Sequence, residues 1–148
     1  MIVVCCLIIL AGFIIISNKK DEVISMKIAK KCQASECDEI ISESVSVEIF
    51  NQKIDSGDYI IIDIRTEMEH EKERIADMQN NIDIFSEDFD KELNKLDKNK
   101  KYLIYCHSGS RTKMGLQRMR TLGFDEVYEL EGGIVAWKIK NLPVVLNK

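Results

Sequence analysis

Apolar and polar residues follow one another in blocks that predict strands separated by helices. The continuous apolar runs at 59–64 and 102–105 are typical of strands buried on both faces of a sheet. Val47, Phe50 and Ile54 recur at helical spacing before the first run. The other predicted elements are a short helix after Thr66, a strand at 82–85, a helix carrying Phe89, Leu93 and Leu96, a helix at 111–122, a strand at 127–130 and a helix at 134–140. Strands that alternate with helices predict a parallel, doubly wound α/β sheet.

Local signals mark where several of these helices begin and end. Thr66 with Glu69 three residues later fits a capping box, and Ser86 is a suitable N-cap residue. Gly123 is expected to stop the helix that precedes it, and Gly132-Gly133 is expected to form a turn.

Residues 1–17 form a different kind of segment, almost wholly aliphatic and without a charged side chain. As a helix they would span about 25 Å, slightly less than the hydrocarbon core of a bilayer, which is about 30 Å thick. No Lys or Arg precedes the run and no A-x-A cleavage site follows it. We therefore expect an uncleaved, helical membrane anchor, with a signal-peptide apolar segment as the alternative.

A charged tether is predicted at 18–44, followed by a folded domain at 45–148. The lysines of the tether favour a cytoplasmic side by the positive-inside tendency. Against this, a short N-terminal hydrophobic segment commonly directs export of the domain behind it, and Cys32 and Cys37 could form a disulfide in an oxidising compartment. We expect the domain on the extracytoplasmic side, with two free thiols as the alternative to the disulfide.

Composition and charge narrow the possible functions. The net charge is −4 and no basic stripe appears, so nucleic acid is not an expected partner. The only histidines are His70 and His107, and neither makes a Cys/His pair at zinc-ligand spacing, so no metal or other cofactor is expected.

The segment Cys106-His107-Ser108-Gly109-Ser110-Arg111 carries the candidate chemistry. It follows a buried strand and precedes a helix, and ligands bind at this edge of parallel sheets. Loop N–H groups and the positive end of the helix would favour a thiolate at Cys106. Gly109 would let the loop turn inward, and Arg111 would hold the loop or contact an anionic substrate.

Three motifs together resemble those of the rhodanese-like family. They are C-x-x-G-x-R at 106–111, Gly132-Gly133-Ile134-Val135-Ala136-Trp137, and the Ile62-to-Glu67 stretch, which is similar to the family's D-x-R region. The resemblance covers about residues 45–145. It departs from the family pattern at 73–78, where only an isoleucine of the G-H-I-x-G-A stretch is retained.

The resemblance implies a five-stranded parallel sheet between helices and a single-domain sulfurtransferase. Cys106 would accept a sulfane sulfur from thiosulfate or a persulfide and pass it to a thiol or cyanide. His107, Ser108, Gly109, Ser110 and Arg111 would form the active-site loop. Asp63 and Arg65 are expected to form a structural ion pair, and Trp137 is expected to lie in the core.

Two other functions remain open from the residues. One is a non-catalytic binding or redox-sensing module at the membrane, suggested by the tether cysteines and the altered 73–78 stretch. The other is a cysteine phosphatase or arsenate-reductase-like enzyme. The phosphatase loop has five residues between Cys and Arg, whereas four lie between Cys106 and Arg111, and a narrower loop suits a single sulfur atom.

Overall fold

The computed structural model describes residues 40–147 apart from residues 78 and 79. The strands are β1 (Ile41–Val45), β2 (Tyr59–Asp63), β3 (Glu73–Arg74), β4 (Asn80–Asn81), β5 (Lys101–Tyr105), β6 (Glu126–Leu130) and β7 (Val145–Leu146). The helices are α1 (Val47–Ser56), α2 (Glu67–Lys72), α3 (Phe89–Asn94), α4 (Ser110–Thr121) and α5 (Gly133–Ile139). The predicted anchor at 1–17 and the cysteines Cys32 and Cys37 lie outside the described residues.

Five of the strands form one parallel sheet, in the order β1-β6-β5-β2-β4. The two strands with the longest apolar runs, β2 and β5, pair with each other in the interior of the sheet. Helices lie between successive strands of the sheet along the chain, as the crossover connections of a parallel sheet require. The predicted α/β fold with a five-stranded parallel sheet flanked by helices is therefore confirmed.

The two faces of the sheet bury separate apolar cores because successive strand side chains point to opposite sides. On one face, Ile62 and Ile104 pack with Met119 of α4. On the other face, Ile61 and Leu103 pack in a cluster that includes Trp137 of α5. Covering both faces explains why these strands are apolar throughout rather than alternating.

Strand β1 corrects the predicted boundary between tether and domain. It begins at Ile41, so residues 41–44 belong to the sheet and not to a tether that runs to 44. β1 lies at an edge and pairs with β6 alone, and Val45 is its only fully buried residue. A polar edge strand lacks the apolar run by which a buried strand is recognised, so the pattern did not reveal it.

The segment after α2 also differs from the prediction. The expected strand at 82–85 is replaced by the two-residue strand β4, which ends at Asn81. Ile82 packs in the core on the α4 face, which accounts for an apolar residue at this position without a strand at 82–85. Its N–H donates to the Asp63 carbonyl. β3 and β7 form a small antiparallel sheet of their own that the sequence did not predict.

A side-chain cap marks the start of α2, whereas α3 has no side-chain hydrogen bond at its N-terminus. Thr66 and Glu69 form the predicted capping box at the start of α2. Ser86 does not cap α3, which begins three residues later at Phe89; its hydroxyl instead accepts from the Asp88 N–H within the preceding turn.

Trp137 is 2% exposed and anchors α5 against α1. Its ring meets the Phe50 ring edge to face, with centroids 6.3 Å apart, and its Nε1–H donates to the Pro143 carbonyl at 2.8 Å. Among the described helices, none combines the length and apolar character needed to cross a bilayer.

Candidate active site

Cys106 follows the last residue of β5 and is completely buried. Its side chain belongs to the core on the α4 face, the same face as Ile104 two residues earlier. The thiol therefore lies at the carboxyl end of the strand beside β2, at the sheet edge where the sequence predicted it.

Gly109 supplies the loop contact to the thiol. Its backbone N–H lies 3.1 Å from Cys106 Sγ, and it is the N-cap residue of α4 with φ of 88°. A side chain there would place Cβ 3.0 Å from the Gly132 backbone nitrogen, in addition to the strain of a left-handed conformation. Glycine at this position thus lets an amide and the positive end of α4 face the sulfur.

The first turn of α5 holds the loop from the other side. The Ile134 N–H donates to the Cys106 carbonyl at 2.9 Å, and the Val135 N–H donates to the His107 carbonyl at 3.1 Å. At Gly133, with φ of 58°, a Cβ atom would lie 2.5 Å from the Cys106 carbonyl oxygen. The Gly132-Gly133 turn is therefore a docking contact for the loop as well as a turn.

Arg111 forms a bidentate ion pair with Glu69 of α2, with N–O distances of 2.8 and 2.7 Å. The hydrogen bonds from Arg111 lower the pKa of Glu69 to about 2. Those same bonds raise the pKa of Arg111, and the neighbouring Cys106 contributes to the rise. Its guanidinium also lies 5.6 Å from the centre of the exposed Phe85 ring. Arg111 is thus a fixed cation beside the thiol.

The remaining loop residues face outward. His107, Ser108 and Ser110 are exposed, and the two serine hydroxyls lie 3.4 Å apart. The structure records no hydrogen bond between the His107 ring and Cys106, both of which it describes.

Asp63 and Arg65 lie together beneath the site at the end of β2. The guanidinium Nη2 of Arg65 lies 2.6 Å from Asp63 Oδ2, and both residues are almost fully buried. His70 Nδ1 and the Tyr105 hydroxyl also contact Asp63, at 3.0 and 2.8 Å. Burial, together with the Asp63 charge, raises the pKa of Tyr105. This network ties β2, α2 and β5 together below Cys106.

Three residues near the site were not singled out from the sequence for a role at the thiol: Glu69, Thr112 and Glu129. Thr112 Oγ1 lies 3.9 Å from Cys106 Sγ and also contacts the Glu129 carboxylate. Glu69 stands at the last position of D-x-R-x-x-x-E counted from Asp63, a spacing that could have indicated it. Glu129 is an acid within the strand predicted at 127–130, between Tyr128 and Leu130, and its position in that strand was the available signal for it.

No cluster of three or more His, Cys, Asp or Glu side chains suited to a metal ion occurs among the described residues. The site that the structure does describe is a buried thiol beside a loop amide, a helix N-terminus and an arginine that is ion-paired with Glu69.

Comparison with known proteins defines the class. The family model described as "Rhodanese-like domain" matches residues 46–140. Because this match covers most of the chain, the protein belongs to the rhodanese-like domain family.

Individual relatives agree with this assignment. A sulfurtransferase of Allochromatium vinosum is 31% identical over 107 residues, 72% of this chain and 94% of the relative. The thiosulfate sulfurtransferase GlpE of Coxiella burnetii is 35% identical over 91 residues, 62% of this chain and 82% of GlpE. YrkF of Bacillus subtilis is 34% identical over 94 residues, 63% of this chain, and there the match spans 49% of the relative.

A solved structure shares the fold. The crystal structure of a rhodanese-related protein from Thermoplasma volcanium has a TM-score of 0.63 and 28% identity. The similarity covers 70% of this chain and 98% of the solved one.

Proposed function

We propose that this chain is a sulfurtransferase that carries a sulfane sulfur on Cys106 as a persulfide. One observation carries the proposal: Cys106 Sγ lies at the carboxyl end of β5, 3.1 Å from the Gly109 N–H and next to the N-terminus of α4. Both features stabilise negative charge on sulfur.

The first half of the reaction loads the sulfur. The Cys106 thiolate attacks the sulfane sulfur of the donor, a new S–S bond forms, and the donor's own S–S bond breaks. The leaving group departs with the electron pair as sulfite, if the donor is thiosulfate, or as a thiolate, if it is a persulfide. The Gly109 N–H and the end of α4 stabilise the charged sulfur as an oxyanion hole stabilises oxygen.

The second half releases the sulfur. A thiol or cyanide acceptor attacks the outer sulfur of the Cys106 persulfide, and the S–S bond electrons return to Sγ. The exposed hydroxyls of Ser108 and Ser110 line the approach to the loop. Arg111, held by Glu69, keeps a positive charge beside the thiol during both halves. Relatives named as sulfurtransferases support the proposed reaction class, and the name of one of them, a thiosulfate sulfurtransferase, supports thiosulfate as the donor to test first.

The test is formation of thiocyanate from thiosulfate and cyanide. Cys106→Ser should reduce the rate to the uncatalysed background. The double variant Cys32→Ser with Cys37→Ser is the matched control and should keep the wild-type rate. An active Cys106→Ser variant would refute the proposal, and so would a wild-type chain that is inactive with thiosulfate and with persulfide donors but hydrolyses an aryl phosphate.

We also propose that residues 1–17 anchor the chain in a membrane, with the domain on the extracytoplasmic side. The support is the aliphatic, uncharged composition of that segment and the pair Cys32 and Cys37, which suits an oxidising compartment.

A further inference from the structure

A cleft of about 250 Å³ lies between α4 and the segment at 84–90, and the reaction described above does not use it. It is lined by Ile84, Ser86, Glu87 and Asp90 on one side and by Met114 and Arg118 of α4 on the other. Since one water molecule occupies about 30 Å³, the cleft is much larger than a cyanide ion needs. It has room for the organic part of a substrate.

The cleft begins beside the active-site loop. Phe85, in the lining segment, has its ring centre 5.6 Å from the Arg111 guanidinium. Arg111, Met114 and Arg118 lie three and four residues apart and therefore share one face of α4. At the far end, Arg118 forms an ion pair with Asp90 at 3.1 Å. The helix rises about 10 Å from Arg111 to Arg118, so the cleft leads from the loop to a charged end about that far away.

Apolar side chains line the cleft between its two ends. Met114 is 53% exposed and Phe85 is 66% exposed, although both are large and apolar. Ile84 and Phe89 also line the cleft and pack with the core on the α4 face. Ligand pockets combine apolar lining of this kind with a few polar groups that fix orientation. The carbon chain of a substrate would cover Met114 and Phe85, which water otherwise surrounds.

The charged residues of the cleft indicate which group that chain carries. The Arg118 side chain is 60% exposed, and its guanidinium has N–H donors beyond those that face Asp90, so it can bind a carboxylate. Glu87 is exposed, and no described residue forms an ion pair with it, so it can bind an ammonium group. An α-amino-acid group carries a carboxylate and an ammonium on one carbon atom. The cleft is therefore complementary in charge to an α-amino-acid group.

Length distinguishes among the thiols that carry such a group. The substrate sulfur must reach the Cys106 loop while the amino-acid group lies near Arg118, about 10 Å along α4 from Arg111. An extended chain of about three residues spans this distance. In cysteine the thiol and the amino-acid group are too close together to occupy both places. In glutathione, a tripeptide thiol, the glutamyl end carries the ammonium and the carboxylate on one carbon, remote from the sulfur.

We propose that this cleft binds the acceptor of the sulfur, a thiol whose α-amino-acid group lies about 10 Å from its own sulfur. The inference rests on the sulfurtransferase function proposed above and specifies its acceptor class. The acceptor, as a thiolate, attacks the outer sulfur of the Cys106 persulfide and forms a new S–S bond. The bond to Sγ breaks, its electron pair returns to Sγ, and the acceptor leaves as a persulfide. Arg118 and Glu87 bind the amino-acid group, and Met114 covers the carbon chain.

The first test needs no sulfur chemistry. S-methylglutathione, which has no thiol to accept sulfur, is titrated into the full chain. Its Kd is measured from the NMR shifts of the Met114 methyl group and the backbone amides at 84–90. Arg118→Gln and Glu87→Gln should each weaken binding about 5-fold, because each removes one ion pair with the amino-acid group.

The matched control for the binding test is Arg120→Gln. Arg120 is also an exposed arginine of α4, but it lines a different cleft beside β1. This variant should bind S-methylglutathione like wild type. Equal affinity in wild type and all three variants, or a titration that shifts no signal of the α4 cleft, would overturn the proposal.

The second test compares two acceptors in steady-state transfer from thiosulfate. Wild type should have a lower KM for glutathione than for cysteine, which carries the same amino-acid group on a shorter chain. Arg118→Gln should raise the KM for glutathione about 5-fold more than the KM for cysteine. Equal KM values for the two thiols in wild type, or equal changes of both in Arg118→Gln, would contradict the assigned distance between sulfur and amino-acid group.

The outcomes separate the two proposals. If wild type forms thiocyanate from thiosulfate and cyanide but S-methylglutathione does not bind the cleft, the acceptor site is refuted and the sulfurtransferase stands. If S-methylglutathione binds and Arg118→Gln weakens the binding, but wild type takes no sulfur from any donor, the cleft remains a binding site and the sulfurtransferase and its acceptor are refuted.

Discussion

At the scale of single residues, the ion pair with Glu69 holds the Arg111 guanidinium, and with it a positive charge, beside the Cys106 loop. The pair joins the start of α4 to α2, two helices that are distant in sequence. Both side chains are partly buried, so the charges are screened less than those of an exposed pair. Glu69 also completes the capping box with Thr66, so one carboxylate serves both the helix and the arginine.

Removing the Glu69 carboxylate should produce a pH-dependent loss of stability. The pKa of Glu69 is lowered from 4.5 to about 2 in the folded chain, so its stabilising effect is complete above pH 4.5 and disappears as the pH falls toward 2. Glu69→Gln should lower the free energy of unfolding by about 1 kcal/mol at neutral pH. Denaturant unfolding across this pH range measures the difference between the variant and wild type.

The matched control is Glu92→Gln, which removes an exposed ion pair with Lys95 on α3. It should change stability little at any pH. A difference between Glu69→Gln and wild type that is constant from neutral pH down to pH 2 would contradict the assignment of the lowered pKa to Arg111.

At the scale of secondary-structure elements, the loop is shaped by the two helices whose N-termini meet there. α4 begins at the loop, and its N-terminus lies next to the Cys106 sulfur. In the first turn of α5, backbone N–H groups donate to the Cys106 and His107 carbonyls. Two successive left-handed glycines, Gly132 and Gly133, bring α5 close enough to do so. The loop is thus held from both ends by backbone hydrogen bonds.

Gly133→Ala should disrupt the site because its Cβ would overlap backbone atoms of Cys106 and His107, which cannot move without moving the loop. We expect sulfur loading to fall by about 100-fold. Gly57→Ala is the matched control, since Gly57 also has a positive φ of 74° but its Cβ would meet nothing within 4 Å. It should lower the free energy of unfolding by about 1 kcal/mol and leave loading unchanged. Equal loading rates in the two variants would contradict this role.

The elements also show which features the sequence could predict. β2 and β5 were predictable because both of their faces are buried, and α2 because its capping box is local in sequence. β1 was not, because a polar edge strand has no pattern of its own and is fixed by pairing with β6. The position of Cys106 follows from local sequence, but its contacts with Thr112 and the α5 turn depend on residues brought together only by the fold.

At the scale of the whole molecule, the sheet and both apolar cores are built from residues after position 40. Among the described residues, those of the candidate site lie between β1 and α5. The aliphatic segment at 1–17 lies outside the described residues, and its proposed role is attachment of the domain to a membrane.

Removing residues 1–17 should separate membrane binding from sulfur transfer. The full chain should float with lipid vesicles in a density gradient, because its aliphatic segment partitions into the hydrocarbon core. The chain without residues 1–17 should stay with the aqueous fractions and load sulfur at the same rate. A shortened chain that still floats would contradict the proposed anchor, and a shortened chain that cannot load sulfur would contradict the independence of the site.

Formation of a persulfide on Cys106 is measured directly by the intact mass of the protein after incubation with a sulfane sulfur donor and removal of the excess. We expect the added mass of one sulfur atom, located on Cys106 by peptide mapping, lost on addition of cyanide and not formed in Cys106→Ser. An unchanged mass with both thiosulfate and a persulfide donor, or an adduct that persists in Cys106→Ser, would contradict it.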